Sequence, residues 1–149
     1  MKEYRNLTIF FVSFFSKQFI DKILKKIDSR INILIIDNAN EKGLKKYFEG
    51  KFKNVKVIVS KKNNGQTGGI NIGFKNIKTK YGLYMDSDVS FNSKIIDTFI
   101  SVAKEIKDFV ILAPQHEKSH YKDEFFSTKL NKFKNYHLMK LVHGQFLFF

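Results

Sequence analysis

Two carboxylates in D-x-D spacing, Asp86 and Asp88, close the segment K-Y-G-L-Y-M-D-S-D-V-S at residues 80–90. In an extended chain such a pair shares one side, because strand side chains alternate. Two carboxylates on one side can hold a hard divalent cation, and that cation can hold a diphosphate. Residues 81–85, Y-G-L-Y-M, read as a short buried strand that runs straight into the acids. Acids at the C-terminal end of such a strand stand where open α/β sheets bind ligands. The plainer reading of the same residues is a solvated acidic turn, with Asp88 or Ser90 near a helix start.

The elements that must position these acids alternate along the chain. Residues 7–15 are nearly continuous apolar sequence and predict a buried first strand. Residues 17–28 place Phe19, Ile20, Ile23, Leu24 and Ile27 on one helical face, with Lys22, Lys25 and Lys26 outward. Residues 31–36, I-N-I-L-I-I, are a second strand ended by Asp37, and 41–49 a short helix or turn. Residues 55–59, V-K-V-I-V, are a third strand. A Gly-rich stretch at 61–75 then opens a helix reaching about Ile77. After the strand at 81–85, Asn92 or Ser93 can cap a helix carrying Ile95, Ile96, Phe99, Val102, Ala103 and Ile106. Residues 109–113, F-V-I-L-A, are expected as a fifth strand closed by Pro114.

This alternation predicts an α/β protein: a three-layer α/β/α sandwich with a mostly parallel sheet and right-handed crossovers. From His116 to Tyr136 the pattern dissolves into charge and aromatics, which reads as a loop. Residues 138–149 regain an apolar character, interrupted by His143-Gly144-Gln145, and the chain stops at F-L-F-F. Domains seldom end on an exposed aromatic run, so the expectation is a C-terminally truncated polypeptide whose last strand invites self-association.

Composition bounds the rest. With 149 residues, 43% of them hydrophobic, and 17 Phe, the chain suits one domain with a real core. It has no Cys, which excludes disulfides and thiolate metal sites and leaves the redox compartment open. No run approaches the ~18 apolar residues of a membrane span. Residues 8–15 lack the cleavage site of a signal peptide, and the expectation is a cytoplasmic protein. A formal net charge of +13 favours polyanions, anionic membrane surfaces or phosphorylated substrates without choosing among them.

Three places put polar residues at one edge of this sheet: Asp37, the Asn/Gly loop, and Asp86 with Asp88. In that order and spacing the sequence resembles the family 2 glycosyltransferases of GT-A nucleotide-sugar-binding fold, and within them the rhamnosyltransferase-like branch. The segments that carry the likeness are F-V-S-F-F at 11–15, I-I-D-N-A-N at 35–40, N-N-G-Q-T-G-G-I-N-I-G at 63–73 and Y-M-D-S-D at 84–88, with V-H-G-Q-F-L-F-F at 142–149 a weaker one. The resemblance implies a donor half over 1–114 and the start of an acceptor half over 115–149, within a single domain 1–149. It implies that the backbone at Ser13 and Phe14 lines the base and that Asp37 accepts from a pyrimidine N–H. Asn63, Gly69 and Asn71 then shape the pocket wall, Asp86 meets ribose or metal, and Asp88 is the principal ligand of Mg²⁺ or Mn²⁺.

The partners implied are a nucleotide-diphosphate sugar and a glycan or lipid-linked acceptor, with peripheral association at the inner face of an anionic cell membrane and no nucleic acid. Two departures stand out. Phe15 occupies a position where the family commonly has Asn. The family's catalytic base is an Asp or Glu of the acceptor half, yet nothing after Gly144 is acidic, and Glu117, Asp123 and Glu124 come too early. The base is therefore expected beyond Phe149.

Each assignment has a plainer alternative. Asp37 also fits a helix cap, Asn71 a loop residue, and the glycines tight turns. His143 also fits a packed or solvated histidine. A dinucleotide-binding oxidoreductase needs G-x-G-x-x-G after the first strand, and Gly65, Gly68, Gly69 and Gly73 never form G-x-G. A basic nucleic-acid-binding module is the non-enzymatic rival, but acids at the mouth of the sheet repel phosphate unless a metal intervenes.

Overall fold

The computed structural model describes residues 3–106, 109–114, 129–132, 137–139 and 146–149. A single turn of 3₁₀ helix, Tyr4–Asn6, leads into β1 (Leu7–Ser13). There follow α1 (Lys17–Leu24), β2 (Asn32–Asp37), α2 (Leu44–Lys51), β3 (Val55–Val59), α3 (Gly65–Asn76), β4 (Tyr81–Met85) and α4 (Lys94–Glu105). Three short strands complete the order: β5 (Lys129–Lys132), β6 (His137–Met139) and β7 (Phe146–Phe148).

The main sheet has the order β3-β2-β1-β4-β7. β1 pairs in parallel with β2, Phe11 opposite Ile35, and with β4, Phe10 opposite Tyr84. β2 pairs in parallel with β3. The strands alternate sides as an extended chain must. Leu7, Ile9, Phe11, Ile33, Ile35, Leu83 and Met85 face one layer with the buried residues of α1, α2 and α4. Phe10, Leu34, Ile36 and Tyr84 face the other, where Ile70 and Ile72 of α3 pack. The expected mostly parallel α/β sandwich is therefore what the chain forms.

α3 comes unusually close to the sheet because it presents glycines to it. A methyl group built at Gly69 would sit 2.5 Å from Val12 Cγ1, and one at Gly73 would overlap the Phe10 ring. Gly69 and Gly73 thus serve the packing of the helix on β1, and Gly69, expected in the pocket wall, faces the sheet.

Four other expectations are corrected. Residues 109–113 form no strand. Leu112 alone makes an antiparallel bridge, exchanging hydrogen bonds of 2.7 and 2.9 Å with Phe148. The fifth place in the sheet goes to β7, antiparallel to β4 with Leu83 opposite Phe148. The terminal aromatics are not exposed: Phe146 and Phe148 are buried, with ring centroids 5.6 and 5.3 Å from Phe99. Burial of that size is worth about 3–5 kcal/mol when truncated to Ala, more than a local apolar run can claim for itself. β1 ends at Ser13 rather than Phe15, and Phe19 stands off the buried face of α1, 53% exposed.

The expected loop at 116–136 lies outside the described residues except Lys129–Lys132, which pairs antiparallel with His137–Met139. Glu117, Asp123, Glu124 and His143-Gly144-Gln145 also lie outside them. Among the described residues, no helix is long and apolar enough to cross a membrane.

The glycine packing gives a test. Gly73→Ala should destabilise the protein by about 1–3 kcal/mol through overpacking against Phe10. Gly50→Ala, on α2 with open space around it, should be neutral or stabilising by roughly 0.5–1 kcal/mol. Urea midpoints of the two variants measure the difference.

Candidate functional site

At the C-terminal edge of the parallel strands lies a cavity of about 500 Å³. Its walls come from the β1–α1 turn (Phe14, Phe15, Ser16, Phe19), the loop into α3 (Asn63, Gly65, Gln66) and the end of β4 (Tyr84, Asp86, Ser87, Asp88). Val12 and Asn38 complete it.

The β1–α1 turn is shaped locally. Ser16 Oγ accepts the Phe14 amide at 3.1 Å and lies 3.3 Å from Ser13 Oγ. Phe15 adopts a left-handed backbone, φ 55°, and is 66% exposed. A bulky residue there stores strain of about 1–3 kcal/mol. The position suits Asn, which tolerates this region through its short polar side chain.

The second wall is held by Asn38, a residue the sequence reading passed over. It is buried beside Asp37 at the end of β2. Its Nδ2 donates to Asn63 Oδ1 at 2.9 Å and to the Gly65 carbonyl at 3.0 Å, and its Oδ1 accepts the Asn64 amide at 3.0 Å. Asn63 Oδ1 also accepts the Gly65 amide at 2.9 Å. These bonds fix the start of α3 against β2 and so aim Gln66 across the cavity.

The third wall carries the acids. Tyr84 stands on the same side of β4 as Asp86, two residues on. Its ring is buried, with its centroid 5.2 Å from that of Phe10. Its hydroxyl donates to Asp86 Oδ1. Gln66 Nε2 donates to the Tyr84 oxygen at 3.1 Å and to Asp86 Oδ1 at 3.2 Å. Burial, and then the hydrogen bond to Asp86, hold the Tyr84 hydroxyl far above its ordinary pKa, so it stays a donor. After Asp86 the chain leaves the strand: Ser87 and Asp88 form a turn, closed by the Val89 amide on the Asp86 carbonyl at 3.4 Å. Asp86 and Asp88 thus share the cavity because the chain turns, and not because an extended strand continues through both.

Of the residues singled out beforehand, Phe14, Asn63, Asp86 and Asp88 are walls of one cavity. Ser13, Asp37, Gly69 and Asn71 are not among them. Ser13 is fully buried beneath the turn, Gly69 faces Val12, and Asn71 lies on the exposed side of α3. Asp37 is fully buried, and its two oxygens accept the Ala39 amide at 3.2 Å and the Glu41 amide at 2.9 Å. It organises the β2–α2 loop and does not cap the helix that follows, whose N-cap is Gly43 with no side-chain cap bond.

The donor set suits a divalent cation completed by a ligand. Among the described residues no cluster of three acidic or histidine side chains exists. Yet neither Asp86 nor Asp88 joins any ion pair among those residues, in a chain of net charge +13. One or two carboxylates are the usual protein share of a Mg²⁺ site, with phosphate oxygens and water completing it, and Asp86 and Asp88 could supply them.

Solved structures share this architecture. S. aureus TarS 1–349 matches with 19% identity and a TM-score of 0.55, over 66% of this chain and 32% of that one. The same fragment in complex with UDP-GlcNAc matches at 19% identity, TM-score 0.56, over 66% and 31%. The mannosyltransferase PcManGT from Pyrobaculum calidifontis, in complex with GDP-Man and Mn²⁺, matches at 10% identity, TM-score 0.57, over 66% and 32%. The fold is thus that of the GT-A glycosyltransferases, and the chain spans well under two thirds of the length of these neighbours. Glycosyl transferase family 2 matches residues 15–148, and the chain belongs to that family. No curated protein matches it.

Two measurements follow. Phe15→Asn should raise stability by about 1 kcal/mol, read from chemical denaturation, because the strain goes while little buried area is lost. Burial first of all raises the Asp37 carboxyl above its usual 3.8, opposed by the backbone amides of Glu41, Ala39 and Asn40. The folded chain then keeps a proton that the unfolded chain has lost, so this group's contribution falls as pH rises from 3.8 through the folded value. Asp37→Asn should flatten that segment of a stability profile taken between about pH 3.5 and 7.

Proposed function

We propose that this chain binds a nucleotide-diphosphate sugar for transfer to a glycan or lipid-linked acceptor, with a divalent metal and with inversion at the anomeric carbon. The observation that carries the reading is the pair of unpaired carboxylates, Asp86 and Asp88, on the wall of a cavity at the C-terminal edge of the parallel strands. Membership of glycosyl transferase family 2 supports it. So do the UDP-GlcNAc and GDP-Man of the structural neighbours and the Mn²⁺ of one of them.

The exposed Phe14 ring offers a face on which a nucleobase stacks. Asn63, on the cavity wall, offers an amide to the ribose. The N-terminal end of α3, which reaches the cavity at Gly65 and Gln66, adds partial positive charge toward the diphosphate. Asp86 and Asp88 would hold Mg²⁺ or Mn²⁺. Such an ion, when bound, supplies neutralisation of the charge that develops on the departing nucleoside diphosphate. Among the described residues no other carboxylate lines the cavity, so we assign them donor binding and leave deprotonation of the acceptor to another part of the protein. The surplus of 27 basic over 14 acidic residues supports a seat against the anionic inner face of a cell membrane.

Calorimetric titration with UDP, dTDP and GDP, each with and without Mn²⁺, tests the proposal. At least one nucleotide should bind in a metal-dependent manner, and Asp88→Ala should weaken it by roughly 100-fold, about 2.7 kcal/mol. Tight, salt-steep oligonucleotide binding with no nucleotide response would instead favour a nucleic-acid module.

A further inference from the structure

We propose that Tyr84 and Gln66 are positioning residues that clamp one oxygen of Asp86 and so present the other to the bound cation; the inference rests on the metal-dependent reading above. Both donors converge on Oδ1: the Tyr84 hydroxyl, and Gln66 Nε2 at 3.2 Å. They are also bonded to each other at 3.1 Å, which closes a three-membered network. Asp86 Oδ2 receives no hydrogen bond among the described residues. A carboxylate on a strand end otherwise rotates freely about its last bond. Two donors on one oxygen fix that rotation, and the free oxygen keeps a constant direction.

The two clamping groups come from opposite sides of the cavity and are rigid for different reasons. Tyr84 cannot swing because its ring is 1% exposed within the Phe10 layer. Gln66 is exposed, but it sits in the first turn of α3, and the Asn38 bonds to Asn63, Asn64 and Gly65 anchor that turn. The geometry therefore couples the Gly-rich helix to the acid pair through Gln66 and Tyr84, one side chain from each segment. Donors of this kind, one step removed from the cation, typically govern affinity by about 10–100-fold.

The two binding constants separate this role from simple contact. Mn²⁺ would be titrated at saturating UDP, or at whichever nucleotide the wild type prefers, and the nucleotide at saturating Mn²⁺. Tyr84→Phe and Gln66→Ala should each raise the Mn²⁺ half-saturation about tenfold, leave nucleotide affinity at saturating Mn²⁺ unchanged, and melt within about 2 °C of wild type. Gln66 carries the test alone if Tyr84→Phe fails to fold. Unchanged Mn²⁺ half-saturation in the variants, alongside loss of binding in Asp88→Ala, overturns the clamp and leaves the proposed function standing. A fall in nucleotide affinity at saturating Mn²⁺ with an unchanged metal requirement also overturns it, because the residues would then touch the nucleotide. Wild-type protein that binds no nucleotide in a metal-dependent way overturns the underlying reading and the clamp together.

Discussion

The close approach of α3 to β1 governs the geometry of everything at the sheet edge. A helix packed on a sheet through ordinary side chains stands off by the depth of those side chains. Here Gly69 and Gly73 remove that depth where the helix meets Val12 and Phe10. The first turn of α3 is thereby lowered toward the ends of the central strands, and Gln66 comes within hydrogen-bond reach of Tyr84 and Asp86. Glycine carries an entropic cost inside a helix of roughly 0.5–1 kcal/mol each relative to Ala. The chain bears that cost at a place where it sets the width of the cavity.

The second determinant is the pairing of β1 between β2 and β4. Parallel neighbours end at the same edge, so the turns after β1, β2 and β4 are adjacent although β1 ends at Ser13, β2 at Asp37 and β4 only at Met85. Asn38 ties the end of β2 to the Asn63–Gly65 loop that leads from β3 into α3. Its side chain spends its bonds on the scaffold, as does that of Asp37, which holds the β2–α2 loop with both oxygens. Polar residues at this edge thus divide into those that build the turns and those left over for a ligand. The leftover set is small, and its acidic part, Asp86 and Asp88, is unpaired among the described residues despite the basic excess around it.

An aromatic rim flanks the cavity. Phe14, Phe15 and Phe19 are each more than half exposed, and the first two are in edge-to-face contact at 5.0 Å. Phe15 holds its place in a backbone region that bulky side chains avoid, so the turn's path is imposed by its surroundings and not by the residue that occupies it.

Taken by itself, the sequence determined the periodicities, and with them the α/β alternation, the matching bounds of β3 and β4, and the D-x-D at a strand end. Hydrophobic spacing of two or 3.6 is a local property and survives in one dimension. The family likeness in four short segments was legible for a similar reason, since motif order and spacing are linear. Which apolar run completes the sheet was not legible. Residues 109–113 and Phe146–Phe148 are equally strand-like, and only pairing with β4 and packing on Phe99 chose the latter. Nor could spacing separate Asp37, sealed by backbone amides, from Asp86 and Asp88, open to the cavity, because burial of a carboxylate depends on neighbours distant in the chain. Tyr84 and Gln66 belong to the same class: an 18-residue gap hides a contact that only the docking of a glycine-faced helix on a sheet brings about.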